Sequence, residues 1–131
     1  MKEFRVLITG SHTHVDHDLV YSTLDQLGGK SFGDISNPSW LPRPDLVIIH
    51  GDAKCVDRAA DEWAVTNWVT VRPYPADWGK YGNRAGSIRN QQMLDEEKPD
   101  LVIAFPGGPG TADMIRRARK AKIAVEEIIG R

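Results

Sequence analysis

The sequence predicts an α/β domain: a mainly parallel, five-stranded sheet with helices on both faces. Apolar runs of strand length alternate with stretches in which apolar residues recur at helical spacing. Strands that alternate with helices argue for a parallel sheet covered on both sides. Three of the runs end in glycine-bearing turns: Thr9-Gly10-Ser11, His50-Gly51-Asp52 and Pro106-Gly107-Gly108-Pro109-Gly110-Thr111. In such sheets the turns that leave the strand C-terminal ends meet along one edge, where ligands bind.

Residues 4–8 form the first apolar run, which the Gly10 turn closes. Leu19, Val20, Thr23, Leu24 and Leu27 then repeat at helical spacing, and Gly28-Gly29 stops them. Asp16 or His14 is placed to begin that helix. Residues 28–44 carry glycines, prolines and no clear period. A structureless connection longer than ~15 residues is uncommon in a compact domain, so the segment reads as an insertion, a lid or an oligomer contact. Phe32, Ile35, Trp40 and Leu41 within it are costly to leave in water, which makes a homo-oligomer the expected assembly.

Residues 46–49 are the second strand, followed by a helical stripe of Val56, Ala59, Ala60, Trp63 and Ala64. Val69 and Val71 alternate with Thr70 and Arg72 as a third strand, which Pro73 and Pro75 terminate. A polar loop around Asp77-Trp78-Gly79 leads to a helix over 84–97. Its apolar stripe of Ala85, Ile88 and Leu94 is thin, and Pro99 stops it. Residues 101–105 are the fourth strand. The next helix runs from 111 to about 121, with Ala112, Ile115 and Ala118 as its packed face. Residues 123–128 close the sheet as an edge strand.

The 131 residues suffice for one domain with a real core and are short for two, so 1–131 reads as a single domain. Lys and Arg total 17 against 18 Asp and Glu, a formal charge of -1. Such a balance provides no bulk attraction to DNA or to a membrane. Phosphate recognition must then be local, and nucleic acid is not an expected partner. Cys55 is the only cysteine, which excludes a disulfide framework and fits a reducing compartment. The first residues enter a strand pattern rather than a signal peptide, and no apolar run approaches the ~20 residues of a spanning helix. A cytoplasmic protein is the expectation.

The sharpest motif is the 106–111 turn. Glycine lets backbone N–H groups approach an anion without hindrance from Cβ, and a helix N-terminus adds unpaired donors and a favourable dipole. Proline narrows φ and stiffens the turn. Thr111 is placed to cap the helix or to bind a phosphate oxygen. No Lys follows the glycines as in a Walker loop, and the spacing is not that of the dinucleotide fingerprint. Gly10 and Gly51, taken singly, are explained as well by tight-turn geometry as by ligand contact.

Asn83-Arg84 and Arg89-Asn90 precede or lie in the helix over 84–97. An arginine fork there recognises phosphate or carboxylate; a solvated helix face is the alternative. Asp57, in the turn after the second strand, is close enough to reach the site, whereas Asp61 reads as solvated surface. His12, His14 and His17 fit no regular face and have no cysteine nearby, so no metal site is expected. Arg116, Arg117, Arg119, Lys120 and Lys122 read as a solvated basic face near a helix C-terminus.

Five segments together carry a family resemblance. They are Ile8-Thr9-Gly10-Ser11, His50-Gly51-Asp52-Ala53-Lys54-Cys55-Val56-Asp57, Pro75-Ala76-Asp77-Trp78, Ile88-Arg89-Asn90-Gln91-Gln92-Met93 and the stretch from Ala104 through the glycine turn to Asp113. In order and spacing, over nearly the whole chain, they resemble the YspA-like family of the SLOG superfamily. That superfamily also contains the lonely-guy phosphoribohydrolases and the DNA-processing protein A group. The resemblance implies a Rossmann-like fold that binds nucleotides or nucleotide-derived ligands. His12 stands where the YspA-like pattern has Arg, and Asp52 and Cys55 stand where it has Gly. The lonely-guy hydrolases carry a catalytic Glu at the position of Met114. Asp113 lies one residue earlier, about 100° round a helix. Their Arg four residues before a Met is matched by Arg89 and Met93.

Two functions follow. The first is a sensor or sequestering protein that binds a nucleoside phosphate or an ADP-ribose-like molecule, with no further cofactor. Gly10, Ser11, Gly51, Asp57, Asp77, Arg84, Arg89, Asn90 and the 106–111 turn supply its candidate contacts. The alternative is an enzyme that hydrolyses the N-glycosidic bond of a nucleoside 5′-monophosphate. Arg89 and Asp113 are then the candidate catalytic residues, with Asp52, Asp57 and Asp77 as other sources of a carboxylate. The missing Glu favours binding.

Overall fold

The computed structural model describes residues 2–27 and 45–129. Five strands form one sheet: β1 (Phe4–Thr9), β2 (Leu46–His50), β3 (Thr70–Pro73), β4 (Leu101–Ala104) and β5 (Ala124–Glu127). Their spatial order is β3-β2-β1-β4-β5, and every neighbouring pair is parallel. The sheet is thus parallel throughout rather than mainly so. β1 is central, with Leu7 opposite Ile49 of β2 on one side and Val102 of β4 on the other. The chain therefore changes direction across the sheet between β1 and β4, and that reversal opens a crevice at the strand C-terminal ends.

The strands are joined by α1 (His17–Leu27), α2 (Val56–Thr66), α3 (Trp78–Tyr81), α4 (Ala85–Glu97) and α5 (Pro109–Lys120). Successive strand residues point to opposite faces, and this alternation divides the core. Val6, Ile8, Ile48 and Ile103 pack with Val20 and Leu24 of α1 and with Ala60 and Trp63 of α2. Leu7, Val47, Ile49 and Val102 pack with Met93 and Leu94 of α4 and with Met114 and Ala118 of α5. All five residues of β2 are buried, as a strand covered on both faces requires. Each large side chain fully buried in this way contributes about 1.5–3 kcal/mol.

Several elements differ in detail from expectation. Helix α5 begins at Pro109, two residues early, with Gly108 at the cap position. Thr111 lies inside the first turn and does not cap. Proline suits the first helical position because its missing N–H would be unpaired there anyway. The packed face of α5 is Thr111, Met114 and Ala118, while Ala112 is exposed and Ile115 half-buried. In α4, Asn90 and Glu97 take inward positions beside Ala85, Met93 and Leu94, and Ile88 is only half-buried. That use of polar residues explains the thin apolar stripe. The loop after β3 contains α3, capped by the Asp77 carboxylate on the Lys80 N–H at 3.0 Å, and a 3-10 turn at Gly82–Arg84. At α1, Asp16 accepts the Leu19 N–H at 3.0 Å. Segment 28–44, with its Phe32, Ile35, Trp40 and Leu41, lies outside the described residues. Among the described residues, no helix is long and apolar enough to cross a membrane.

Charge fastens the far end of α4. Buried Glu97 accepts from Arg72 Nη1 at 2.8 Å and from the Tyr74 hydroxyl at 2.6 Å. Arg72 Nη2 donates to Glu3 at 2.6 Å, and Arg5 Nη1 donates to the Glu97 carbonyl at 2.6 Å. The network thus joins the start of β1, the edge strand β3 and the end of α4. Burial, followed by the hydrogen bond to Glu97, pushes the Tyr74 phenol up to about 12 from an ordinary 10.0. The folded state then holds this proton more tightly than the unfolded chain. The associated stability is complete below pH 10.0 and is lost as the pH rises to about 12. The urea midpoint of the native protein should fall across that window more steeply than that of Tyr74→Phe. Ultraviolet difference titration should show one late phenol that the variant lacks. Parallel pH profiles for the two proteins would contradict the assignment.

Candidate anion-binding site

The first turn is shaped by close approach. A Cβ at Gly10 would lie 2.7 Å from Val56 Cγ1, so the residue lets β1 pass against the start of α2. The Ser11 N–H donates to the Pro106 carbonyl at 3.1 Å, and the Ser11 carbonyl accepts from the Val56 N–H at 3.2 Å. These two bonds hook the first turn to the fourth-strand turn and to α2. The Ser11 hydroxyl closes its own loop by accepting from the N–H groups of Thr13 and His14, each at 3.1 Å.

At the second turn, a Cβ on Gly51 would run into the Arg89 guanidinium. Arg89 Nη1 donates to the carbonyls of Gly51 and, at 3.4 Å, of Tyr74. Its Nε donates to Asn90 Oδ1 at 3.1 Å. One side chain from α4 thereby ties together the loops after β2 and β3. Nη2 carries no hydrogen bond to the described residues. Burial pulls the guanidinium down from its usual range, while Asp57 and Asp52 hold it up.

Asp57 is buried, and its Oδ2 accepts the N–H groups of Gly51 at 3.1 Å and Ala53 at 3.2 Å. Burial pushes its carboxyl up, against the Ala53 N–H, Arg89 and the Gly51 N–H, which favour the charged form. His50 is fully buried. Its Nδ1 accepts the Asp52 N–H at 2.9 Å, so Nε2 carries the proton and donates to Asp61 at 2.7 Å. Asp61 is therefore not merely solvated surface. Sequence reasoning missed this pair, although Asp57 and Asp61 lie four apart on one helix face and His50 ends a buried strand. Asp52 and Cys55 both have positive φ, 56° and 65°. They occupy the two places where the YspA-like pattern has glycine, and the backbone shows why.

In the fourth-strand turn the glycines divide into two kinds. A Cβ on Gly107 would press on the Thr111 hydroxyl and lie 2.8 Å from the Ser11 nitrogen and 2.9 Å from the Gly10 carbonyl carbon. Around Gly108 and Gly110 a Cβ would find nothing within 4 Å. These two flank Pro109 at the start of the twelve-residue α5. Asn90, also buried, donates to the Gly110 carbonyl at 3.3 Å and to Asp113 Oδ2 at 3.0 Å. Asp113 also accepts from Arg116 at 2.6 Å and Arg117 at 2.9 Å. Its carboxylate thus serves the α4–α5 contact. The basic run is correspondingly paired as well as solvated, since Arg119 donates to Glu127 at 2.7 Å.

The structure brings Gly10, Ser11, Gly51, Asp57, Arg89 and Asn90 together with the 106–111 turn at one edge. Asp77 and Arg84 do not join them through any hydrogen bond. Asp77 is exposed at the cap of α3. Arg84 lines, with Ile88, Gln91, Asp95 and Arg117, a groove of about 700 Å³ to which no glycine turn contributes. His14 bonds to the Thr13 hydroxyl at 3.0 Å, and the His17 ring tilts against Tyr21 at 5.8 Å.

A wholly parallel sheet, with helices on both faces and glycine turns leaving its C-terminal edge, places this protein in the Rossmann-like α/β class. More narrowly, the sequence profile of the YspA, cpYpsA-related SLOG family matches residues 4–81, and the chain belongs to that family. It is 36% identical over 132 residues to the Gene 61 protein of Mycobacterium phage D29, covering 92% of this chain and 93% of that protein. Among solved structures, it is similar to the C-terminal domain of a hydrogenase from Pyrococcus furiosus. That similarity covers 98% of this chain and 94% of the other, with a TM-score of 0.49 and 17% identity.

The strained second turn yields a direct test. Cys55 combines φ 65° with ψ -106°, a sparsely populated backbone region that costs a non-glycine residue roughly 1–3 kcal/mol, part of which glycine recovers after its greater unfolded-state entropy. Cys55→Gly should raise the unfolding free energy by about 1 kcal/mol, and the β-branched Cys55→Val should lower it. Chemical denaturation of both variants checks the sign. A destabilised Cys55→Gly would contradict the backbone assignment.

Proposed function

We propose that this protein binds a nucleotide or nucleotide-derived ligand, a nucleoside phosphate or an ADP-ribose-like molecule, as a sensor or sequestering protein. A phosphate group of the ligand sits at the N-terminus of α5. The contrast among the glycines carries this reading. Gly10, Gly51 and Gly107 are accounted for by contacts inside the protein, whereas Gly108 and Gly110 face open space. The first bond of α5 runs from the Ala112 N–H to the Gly108 carbonyl. The N–H groups of Gly110 and Thr111 precede it, and such unpaired donors attract anions. Arg89 Nη2 supplies a nearby donor and positive charge. Membership of the SLOG family supports a nucleotide-related role.

The state of the carboxylates supports binding over glycosidic hydrolysis. Asp113 accepts from Asn90, Arg116 and Arg117, and Asp57 accepts two backbone N–H groups. Neither is poised to activate water.

Gly110→Val tests the site cleanly. Gly110 lies in the first turn of α5, a backbone that valine tolerates, and its Cβ direction is open, so the variant should fold with a nearly unchanged unliganded midpoint. A ligand at 100 times its dissociation constant stabilises by ~2.7 kcal/mol. Thermal denaturation against a panel of nucleoside phosphates and ADP-ribose should show a shift for the native protein that the variant loses. No shift with any compound, or equal shifts in both proteins, would overturn the proposal.

A further inference from the structure

Trp78 is 60% exposed, and α4 sets its place relative to the proposed anion site. Its Cη2 atom lies 3.5 Å from the position of a Cβ on Gly86, in the first turn of α4. Asn90, four residues further on, shares that helix face and reaches the Gly110 carbonyl. At 1.5 Å per residue the two contacts are ~6 Å apart along the helix axis. The indole and the first turn of α5 therefore touch one face of α4, one turn apart.

The loop that carries Trp78 is anchored at its root and again beside the ring. At its root, the Tyr74 N–H donates to the His50 carbonyl at 2.8 Å, and the Tyr74 carbonyl accepts from Arg89. Beside the ring, Asp77 caps α3. A large apolar ring is thus held open to solvent at the same sheet edge as Arg89 and the glycine turn. Aromatic platforms of this kind stack nucleobases with little dependence on base identity, because every base has a π-face. Trp68 offers a contrast. It is 78% exposed but precedes β3, at the opposite sheet edge, away from the turns.

We infer that Trp78 is the base-stacking platform of the site whose phosphate end lies at Gly108 and Gly110, so that the site selects a nucleobase-bearing phosphate over a baseless one. The inference rests on the proposed function above and adds the part of the ligand that the glycine turn cannot recognise.

Calorimetric titration with the four common ribonucleoside 5′-monophosphates, with ADP-ribose and with ribose 5-phosphate separates the two ideas. Trp78→Ala should weaken the bound monophosphates by about five- to 150-fold and leave ribose 5-phosphate unchanged. Trp78→Phe should retain most of the affinity but lose the ligand-induced quenching of tryptophan fluorescence expected of the native protein. Trp68→Ala should alter neither affinity. If monophosphates and ribose 5-phosphate bind the native protein equally, or Trp78→Ala weakens both equally or neither, the stacking inference is overturned while the anion site stands. If none of these probes binds the native protein, the anion site fails, and the stacking inference with it.

Discussion

A guanidinium occupies the space that a side chain at position 51 would take, and the C-terminal edge of the sheet is arranged around it. A half-buried arginine still needs acceptors to replace part of its water. Arg89 finds them in the carbonyls of Gly51 and Tyr74, which belong to separate loops. Asp57 lies close enough to interact electrostatically, yet spends its hydrogen bonds on the N–H groups of Gly51 and Ala53. The second turn is thus gripped twice, by its carbonyl from α4 and by its N–H groups from α2. Asn90, the next residue, reaches the start of α5. Through two adjacent side chains, one helix positions three of the loops that meet at the edge. Arg89 therefore works mainly on the architecture, and only its remaining nitrogen is left to meet a ligand.

The position of Met114 bears on the chemistry of this family member. It is fully buried, in the same core cluster as Leu7 and Val102. A carboxylate there would have to enter an apolar layer, at a large desolvation cost. The resemblance to the phosphoribohydrolases aligns their acid with this position, and here the helix turns it inward. Asp113 points into the α4–α5 contact and is held by three donors. The helix thus buries or occupies each side chain that the resemblance nominated as an acid.

Much of the fold was legible because β2 is apolar up to its terminal His50 and because glycine or proline marks the ends of β1, β2, β3 and β4. The phase of α5 was not. Ala112, Met114, Ile115 and Ala118 admit two packed faces, and the start at Pro109, with Met114 entering the core, selects one. Helix α3 escaped notice because four residues are too few for a period. At the site, sequence located all the turns but could not sort their glycines. Whether Gly51 is needed by Arg89, or Gly108 by nothing inside the protein, depends on residues distant in sequence. The same distance hid His50 and Asp61, which meet only when a strand end lies beneath the second turn of a helix.

Among the described residues, β3 and β5 form the two margins of the sheet, and they differ. On one side β3 ends in Pro73, which cannot donate a backbone hydrogen bond. On the other, β5 carries exposed Glu126 and Glu127. Glu127 is paired with Arg119, but two copies meeting β5 to β5 would bring their Glu126 carboxylates into mutual repulsion, and a β3 margin offers few paired positions before the proline interrupts them. Extension of the sheet from one molecule into the next is thereby discouraged at both margins. Growth of the sheet into fibres through these strand edges is opposed by the same two features.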